Sequence, residues 1–274
     1  MPGFDIESLL EFDPPRYWCG KCYALFSSLE FHLKFYDNER SGKKTIMCPN
    51  CRITYTPTNQ YPLVKISDFL SSKFSRPLHG FRDAEIINHA KRLADISYSS
   101  RRRDSSDRAA VAFGATPEVY PALRGLFESF ISARSFIHFT SYGITQLILG
   151  ALKVVAQRVH VRGIVSGRTG ENIISEVTDF QNESPNLSIK FCDTGEFRTE
   201  EVPHQKLVVI DGLLAFKGSA NLTQTAWRSA EKDMDVIEVV SDVSEVIRLH
   251  NRFFSPVWSK MNDDIKGEIA MRLY

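Results

Sequence analysis

The sequence predicts an α/β fold in which a mixed β-sheet is sandwiched by helices and is preceded by a small zinc-ribbon or zinc-finger-like domain. From Ala109 onward, short apolar runs of strand character alternate with longer segments of helical period. Two Cys-x-x-Cys pairs, Cys19/Cys22 and Cys48/Cys51, precede that region. With 274 residues, of which 43% are hydrophobic and 24% charged, the chain is long enough for one sizeable core and a smaller module.

The first domain, residues 1–75, is defined by the two cysteine pairs, which stand in RYWCGKCYALF and IMCPNCRITY. Four thiolates in a tetrahedral arrangement suit Zn²⁺, and a zinc ion with four protein ligands is structural because it keeps no open position. Unrelated thiols or a redox pair are the alternative interpretations. The predicted ligands of a structural zinc ion are Cys19, Cys22, Cys48 and Cys51.

Residues 76–108 are predicted to form a helix followed by a basic linker. Apolar residues recur with helical spacing in DAEIINHAKRLADISY. The segment SSRRRDSSDR that follows is polar and is expected to be exposed. Basic side chains here and in the first domain are candidates for contacts with phosphate groups, although a short charged run is usually only solvated. These candidates are Arg101, Arg102, Arg103, Lys43 and Lys44.

The third domain, residues 109–274, carries the predicted strands and helices of the α/β fold. The strands are AAVAF, SFIHFTS, VHVRGIVSG, LSIKFC, HQKLVVID, LLAFKGS and MDVIEVV. The helices are PEVYPALRGLFESFISAR, GITQLILGALKVVAQR, ENIISEVTDFQ, NLTQTAW and DVSEVIRLHNRFFSPVW. The Asp-Gly pair after HQKLVVI predicts a hairpin, and Asp242 is predicted to cap the last helix.

One group of polar residues in this domain suggests a catalytic site. His204 and Lys206 are separated by one residue, so on a strand both side chains lie on the same face. An imidazole and an ammonium together can attack or protonate a substrate while neutralising negative charge. Asp211 has the opposite parity and is better suited to fixing the turn or a neighbouring chain. The Gly-Ser-x-Asn turn at 218–221 adds a hydroxyl, an amide and backbone N–H groups at a helix start, where phosphate oxygens bind well.

The order His204-x-Lys206-x4-Asp211 followed by Gly218-Ser219-x-Asn221 resembles the HKD signature of the phospholipase D superfamily. The resemblance, to the single-motif nuclease branch, extends over residues 109–260. It implies a catalytic domain that hydrolyses phosphodiesters without a catalytic metal. One histidine attacks phosphorus to form a phosphohistidine, and a second histidine protonates the leaving oxygen. Lysine, Ser219 and Asn221 would hold the equatorial oxygens.

The chain has no second H-x-K-x4-D; His138 and His160, for example, are followed at the second position by Thr140 and Arg162. A site with two histidines therefore implies a symmetric homodimer. The resemblance also implies an acidic residue that orients the histidine, and Glu231 or Asp233 can fill that role. The predicted catalytic residues are His204, Lys206, Asp211, Ser219, Asn221, Glu231 and Asp233.

The fold does not select the phosphodiester, so three functions compete. Basic residues in the zinc module and linker favour a nuclease that binds DNA or RNA. A phospholipase or cardiolipin hydrolase is disfavoured because no amphipathic anchor or hydrophobic tail is evident. A non-catalytic nucleic-acid-binding dimer is the third. The formal net charge of +1 neither supports nor excludes nucleic acid.

The sequence predicts a cytoplasmic protein without a membrane anchor. Acidic residues stand near the amino terminus, where a signal peptide would carry basic ones. The longest apolar runs are shorter than the roughly 20 residues that span a bilayer.

Overall fold

The computed structural model describes residues 15–19, 22, 24–27, 35–38, 43–47, 51–52, 54–55, 63–65, 83–99, 120–192 and 206–260. Two small antiparallel sheets lie in the N-terminal part. In the first, β1 (Pro15–Cys19) pairs with β2 (Leu25–Ser27) and β6 (Leu63–Lys65). In the second, β4 (Lys43–Met47) pairs with β3 (Phe35–Asn38) and β5 (Thr54–Tyr55).

A six-stranded mixed sheet of order β12-β11-β10-β7-β8-β9 forms the centre of the molecule. Its strands are β7 (Phe136–Ser141), β8 (His160–Ser166), β9 (Leu187–Cys192), β10 (Lys206–Ile210), β11 (Leu214–Gly218) and β12 (Ile237–Val240). The strands β7, β8 and β9 are parallel, whereas β10 is antiparallel to β7 and β11 lies antiparallel between β10 and β12. The carboxyl ends of β7, β8, β9 and β11 and the amino end of β10 therefore share one edge.

Helices flank this sheet, which confirms the predicted α/β fold. They are α1 (Asp83–Ser99), α2 (Tyr120–Ser132), α3 (Gln146–Ala156), α4 (Glu171–Glu183), α5 (Gln224–Ala230), α6 (Val243–Leu249), a π-helix (His250–Phe254) and α7 (Ser255–Lys260). The sequence pattern predicted one continuous helix at the end of the domain, but a π-helical turn interrupts it. The predicted strand AAVAF lies outside the described residues. None of the helices in the described ranges is long and apolar enough to span a bilayer.

Local signals account for the hairpin and the helix caps. Asp211 and Gly212 have φ values of 56° and 71°, which Asp and Gly adopt more readily than other residues, and the Leu213 N–H donates to the Ile210 carbonyl at 2.9 Å. The predicted hairpin between β10 and β11 is therefore confirmed. The carboxylate of Asp242 accepts from the Glu245 N–H at 2.8 Å, which confirms the predicted cap.

The central strands β7 and β8 are buried along their whole lengths, as expected for parallel strands that are covered on both faces. On one face the ring of Phe139 lies over Gly163, where an added Cβ would stand 2.1 Å from the ring Cζ. On the other face His138 stacks against Phe254 of the π-helix with ring centroids 4.7 Å apart. The π-helix is thus part of the main core.

Candidate active site

Residues of the motif meet at the shared edge of the central sheet. Lys206 begins β10 and its Cα lies opposite Gly218, the last residue of β11. Gly218 in turn lies opposite Ile237, the first residue of β12. His204 lies outside the described residues, two positions before Lys206 in the sequence. The edge therefore joins Lys206, the Gly-Ser-x-Asn turn and the segment that leads into β12.

Lys206 is half-buried beside an aromatic ring. Its Nζ lies 5.8 Å from the centroid of the Tyr142 ring. Burial lowers the pKa of Lys206 from its ordinary value, and the nearby carboxylate of Asp235 acts in the opposite direction. A partly desolvated ammonium attracts an anion more strongly than one in bulk water.

Ser219 connects the end of β11 to an acidic residue. Its hydroxyl donates to Oδ1 of Asp235 at 2.8 Å and accepts from the Val236 N–H at 2.9 Å. The Ser219 N–H donates to the Val236 carbonyl at 3.0 Å. A Cβ on Gly218, where φ is 154°, would lie 1.9 Å from the Val236 oxygen, so glycine is required for this close approach. The turn thus holds Asp235 at the same edge as Lys206.

Asn221 is oriented by the segment that follows β7. Its Oδ1 accepts from the Tyr142 N–H at 3.0 Å, which leaves Nδ2 as the donor side of the amide. The Ser141 hydroxyl accepts from the Leu222 N–H at 2.9 Å and donates to the Gly143 carbonyl at 2.6 Å. The ends of β7 and β11 are therefore fixed to each other by hydrogen bonds.

Asp211 lies at the opposite end of the hairpin, about 16 Å from Lys206 at the usual rise per strand residue. Its buried carboxylate accepts from the backbone N–H groups of Arg134, Ser135 and Phe136 and bonds to Nε2 of His89 at 2.7 Å. Burial raises its pKa, but the hydrogen bonds from His89 and from the backbone outweigh burial and hold the pKa below the ordinary value. Asp211 thus joins helix α1 to the hairpin and the start of β7.

Glu231 and Asp233, the two candidates for the orienting acid, are exposed in the turn after α5. The carboxylate that reaches Ser219 belongs to Asp235, two residues further on. The sequence interpretation missed Asp235 because the pairing register of β11 with β12 decides which acidic residue of EKDMD lies beside the turn. The one signal for Asp235 in the sequence is its position just before the strand β12.

Among the predicted phosphate contacts, Lys43 and Lys44 lie on β4 of the N-terminal part. Arg101, Arg102 and Arg103 lie outside the described residues. Their part in binding stays a prediction.

Three of the predicted zinc ligands converge. The Sγ atoms of Cys19, Cys22 and Cys51 all lie within 4.8 Å of one another, and those of Cys19 and Cys51 are 3.7 Å apart. Two thiolates bound tetrahedrally to one zinc ion at about 2.3 Å would be about 3.8 Å apart. Cys19 and Cys22 are fully buried, whereas Cys48 lies outside the described residues. This group of thiols can therefore hold a metal ion.

Residues 126–258 match the family described as "Cardiolipin synthase, PLD-like domain". No curated protein sequence matches the chain.

Solved structures give weaker likenesses. The chain is similar to NucT from Helicobacter pylori, at 23% identity over 53% of this chain and 88% of that one, with a TM-score of 0.38. It is also similar to Nuc, a phospholipase D family member from Salmonella typhimurium, at 21% identity over 46% of this chain and 80% of that one, with a TM-score of 0.33. The third structure is TrmBL2, an archaeal chromatin protein, at 15% identity over 68% of this chain and 71% of that one, with a TM-score of 0.36. Because the three TM-scores are low, these likenesses do not assign a function to the chain.

Proposed function

We propose that the chain is a phosphodiesterase of the phospholipase D superfamily, and more specifically a nuclease that cleaves DNA or RNA in a site shared by two copies of the chain. The match of residues 126–258 to a PLD-like domain family supports the first part of this proposal. The observation that carries this proposal is the group of Lys206, Ser219, Asn221 and Asp235 at one edge of the sheet. It combines a cation, two neutral hydrogen-bonding groups and a carboxylate at one edge of the sheet. Such a group suits a phosphodiester whose charge increases in the transition state.

In the proposed mechanism a nitrogen of His204 attacks phosphorus and the P–O bond to the leaving group breaks. The leaving oxygen takes a proton from the His204 of the second copy, and water then hydrolyses the phosphohistidine as that histidine accepts a proton back. Lys206 neutralises negative charge on the equatorial oxygens, and Nδ2 of Asn221 donates a hydrogen bond to them. Asp235, rather than Glu231 or Asp233, is assigned to orient the attacking imidazole, because it already lies beside Ser219 and Lys206.

A second copy is required because each chain supplies one histidine of the motif. Exposed apolar side chains beside the site favour the same arrangement. Met234 and Val236, which flank Asp235, are 76% and 62% exposed. Contact with a second copy would remove these large apolar side chains from water.

Nucleic acid is favoured as substrate by cations beyond the four-residue group. Arg168 is exposed just after β8, whose carboxyl end lies at the same edge as Lys206. Arg228 and Lys232 are exposed on α5 and in the turn that follows it. Several exposed cations in this part of the fold match a polymer with a phosphate at every residue better than a substrate with one or two phosphates.

A phospholipid is the second candidate, because the matching family is described as a cardiolipin synthase type and exposed Met234 and Val236 could contact acyl chains. The two candidates differ in their test. A nuclease leaves vesicles that contain cardiolipin intact, whereas a lipid phosphodiesterase releases phosphatidic acid from them.

We further propose that Cys19, Cys22, Cys48 and Cys51 bind one structural Zn²⁺ ion, in support of which three of the thiols already converge. The domain boundaries 1–75, 76–108 and 109–274 and the cytoplasmic location are retained as proposals. No catalytic metal is required by the histidine mechanism.

The test is cleavage of labelled single- and double-stranded oligonucleotides in a short incubation with EDTA. We expect cutting to persist, and Lys206→Ala and Asp235→Asn each to lower kcat about 100-fold or more, as removal of one transition-state contact commonly does. Arg92→Ala and Asp179→Asn, which change exposed residues on α1 and α4, are the matched controls. Immediate loss of cutting in EDTA, or equal rates for the site variants and their controls, would refute the proposal.

A further inference from the structure

We infer that the metal site of the N-terminal part is a structural support of the phospholipase D-like domain, to which it is coupled through Asn251 of the π-helix. The inference depends on the proposed zinc site and goes beyond it. It means that binding of a soft divalent cation at the cysteines controls the order of a segment of the domain core.

The contact is made by side chains of the π-helical segment with the backbone of the cysteine turn. Asn251 accepts from the Leu25 N–H at 2.8 Å through Oδ1 and donates from Nδ2 to the Leu25 carbonyl at 2.9 Å. The hydroxyl of Ser255 donates to the Cys22 carbonyl at 2.6 Å. Leu25 is fully buried and belongs to the same hydrophobic core as the central sheet. The cysteine turn therefore contacts the domain core directly through Leu25 and the π-helical segment.

The two bonds of Asn251 to one backbone residue fix its amide orientation, since Oδ1 must accept and Nδ2 must donate. Nδ1 of His250 lies 3.2 Å from that Oδ1 and therefore carries the hydrogen. Nε2 of His250 is then an acceptor for Nδ1 of His138 at 2.9 Å. Nε2 of His138 lies 3.4 Å from Nδ1 of His160. The contact with the Leu25 backbone thus continues into a buried row of histidines, His250, His138 and His160, that reaches β7 and β8.

A π-helical turn places Asn251 and Ser255 where these contacts require them. A π-helix adds one residue to a helical turn and occurs mainly where a function needs it. Here the turn keeps His250 and Phe254 in the core while Asn251 and Ser255 contact the cysteine turn. Without the Leu25 backbone, the Asn251 amide would lose both of its hydrogen bonds, and these bonds would no longer stabilise the π-helical turn.

The cysteine turn between β1 and β2 depends on the metal for its own order. Among the described residues, the Cys19 N–H donates to the Ala24 carbonyl at 2.9 Å and the Cys22 N–H lies 3.5 Å from Cys19 Sγ, so the turn brings both thiols toward Cys51. Zinc bound to several thiolates commonly supplies the folding energy of such turns. Loss of the ion therefore removes the surface on which the π-helix docks.

Hydrogen exchange with mass spectrometry on the full chain, before and after chelation with a strong zinc chelator, tests this inference. Zinc content is measured on the same samples. In the wild type we expect peptides over 246–258 to exchange at least about 10-fold faster once the ion is removed. In Asn251→Ala we expect zinc to stay bound, while exchange over 246–258 is already fast and no longer responds to chelation. Asn182→Ala, an exposed change on α4, is the matched control and should behave as wild type.

The outcomes separate the two proposals. Absence of bound zinc in the purified chain overturns both. If zinc is bound but chelation does not change the exchange rate over 246–258, the coupling is overturned and the zinc site stands. The same holds if chelation changes that rate equally in wild type and Asn251→Ala. Cleavage of oligonucleotides is measured separately and decides the proposed nuclease function alone.

Discussion

Substitution of Asp211 removes the connection between helix α1, the β10–β11 hairpin and the start of β7. The side chain is buried, and its carboxylate accepts from the N–H groups of Arg134, Ser135 and Phe136 at 2.8 to 2.9 Å. Nε2 of His89 lies 2.7 Å from Oδ2. Asp211→Ala would leave the three N–H groups and the imidazole without their acceptor in a place that water does not reach.

The expected loss of stability follows from these contacts. A backbone donor that loses its acceptor in a buried place costs about 1–3 kcal/mol, and Asp211→Ala leaves three N–H groups in that state. We expect Asp211→Ala to lower the free energy of unfolding by about 3–5 kcal/mol, and Tm by about 2–4 °C for each kcal/mol. Asp211→Asn keeps one oxygen for Ser135 and Phe136, and we expect about half of that loss.

Urea unfolding of the zinc-loaded chain, followed by circular dichroism, measures both variants. Asp179→Ala, an exposed change on α4, serves as the control and should remain within about 0.5 kcal/mol of wild type. A cost below about 1 kcal/mol for Asp211→Ala, or equal costs for the Ala and Asn variants, would show that the four contacts do not hold the hairpin as described.

The pH dependence provides a separate test of the same contacts. Hydrogen bonds hold the folded-state pKa of Asp211 below its ordinary value, so the carboxylate stabilises the fold fully above the unfolded pKa of about 3.9. That contribution is lost as the pH falls through the lower folded pKa. The difference in stability between wild type and Asp211→Asn should therefore shrink below about pH 4, and a constant difference would contradict the reasoning.

Three further substitutions test the packing. Gly218→Ala places a Cβ 1.9 Å from the Val236 carbonyl oxygen, so we expect lower Tm and loss of cleavage, measured by calorimetry and the oligonucleotide assay. Gly163→Ala is expected to cost about 1–3 kcal/mol in urea unfolding, with partial recovery in the double variant with Phe139→Leu, because the new Cβ meets the Phe139 ring. Burial, followed by neighbouring histidine and arginine, lowers the pKa of His138 well below its ordinary value. Its contribution to stability is complete above about pH 6.5 and falls by up to about 1.4 kcal/mol per unit below it, and His138→Phe should flatten that slope.

Local pattern was enough to predict most of the α/β domain from the sequence. The alternation of short apolar runs with helical segments predicted the central strands, and Asp-Gly predicted the hairpin that carries Lys206. These features depend on residues close together in the chain. The same locality marked the two Cys-x-x-Cys pairs as candidate metal ligands, and the thiols of Cys19, Cys22 and Cys51 converge in the structure.

Features that depend on distant contacts did not follow from the sequence. Asp235 reaches Ser219 only through the register of β12 beside β11, and neighbouring acidic residues in EKDMD offered equal signals. The π-helical turn at His250–Phe254 was not recognised in the sequence, and the hydrogen-bond partner of its Asn251 is Leu25, 226 positions away. A residue such as Asn251 looks like an ordinary helix surface residue until its partner is known.

Subunit mixing tests the central claim, that one phosphodiester is cleaved between two chains, most directly. Wild type and His204→Ala are refolded together in varied proportions with zinc present, and cleavage in EDTA is measured at constant total protein. If each site needs the histidines of both copies, activity falls with the square of the wild-type fraction, so that an equal mixture retains about a quarter of the activity. Activity that falls in direct proportion, with about half remaining in the equal mixture, would show that each chain works alone and would contradict the shared site.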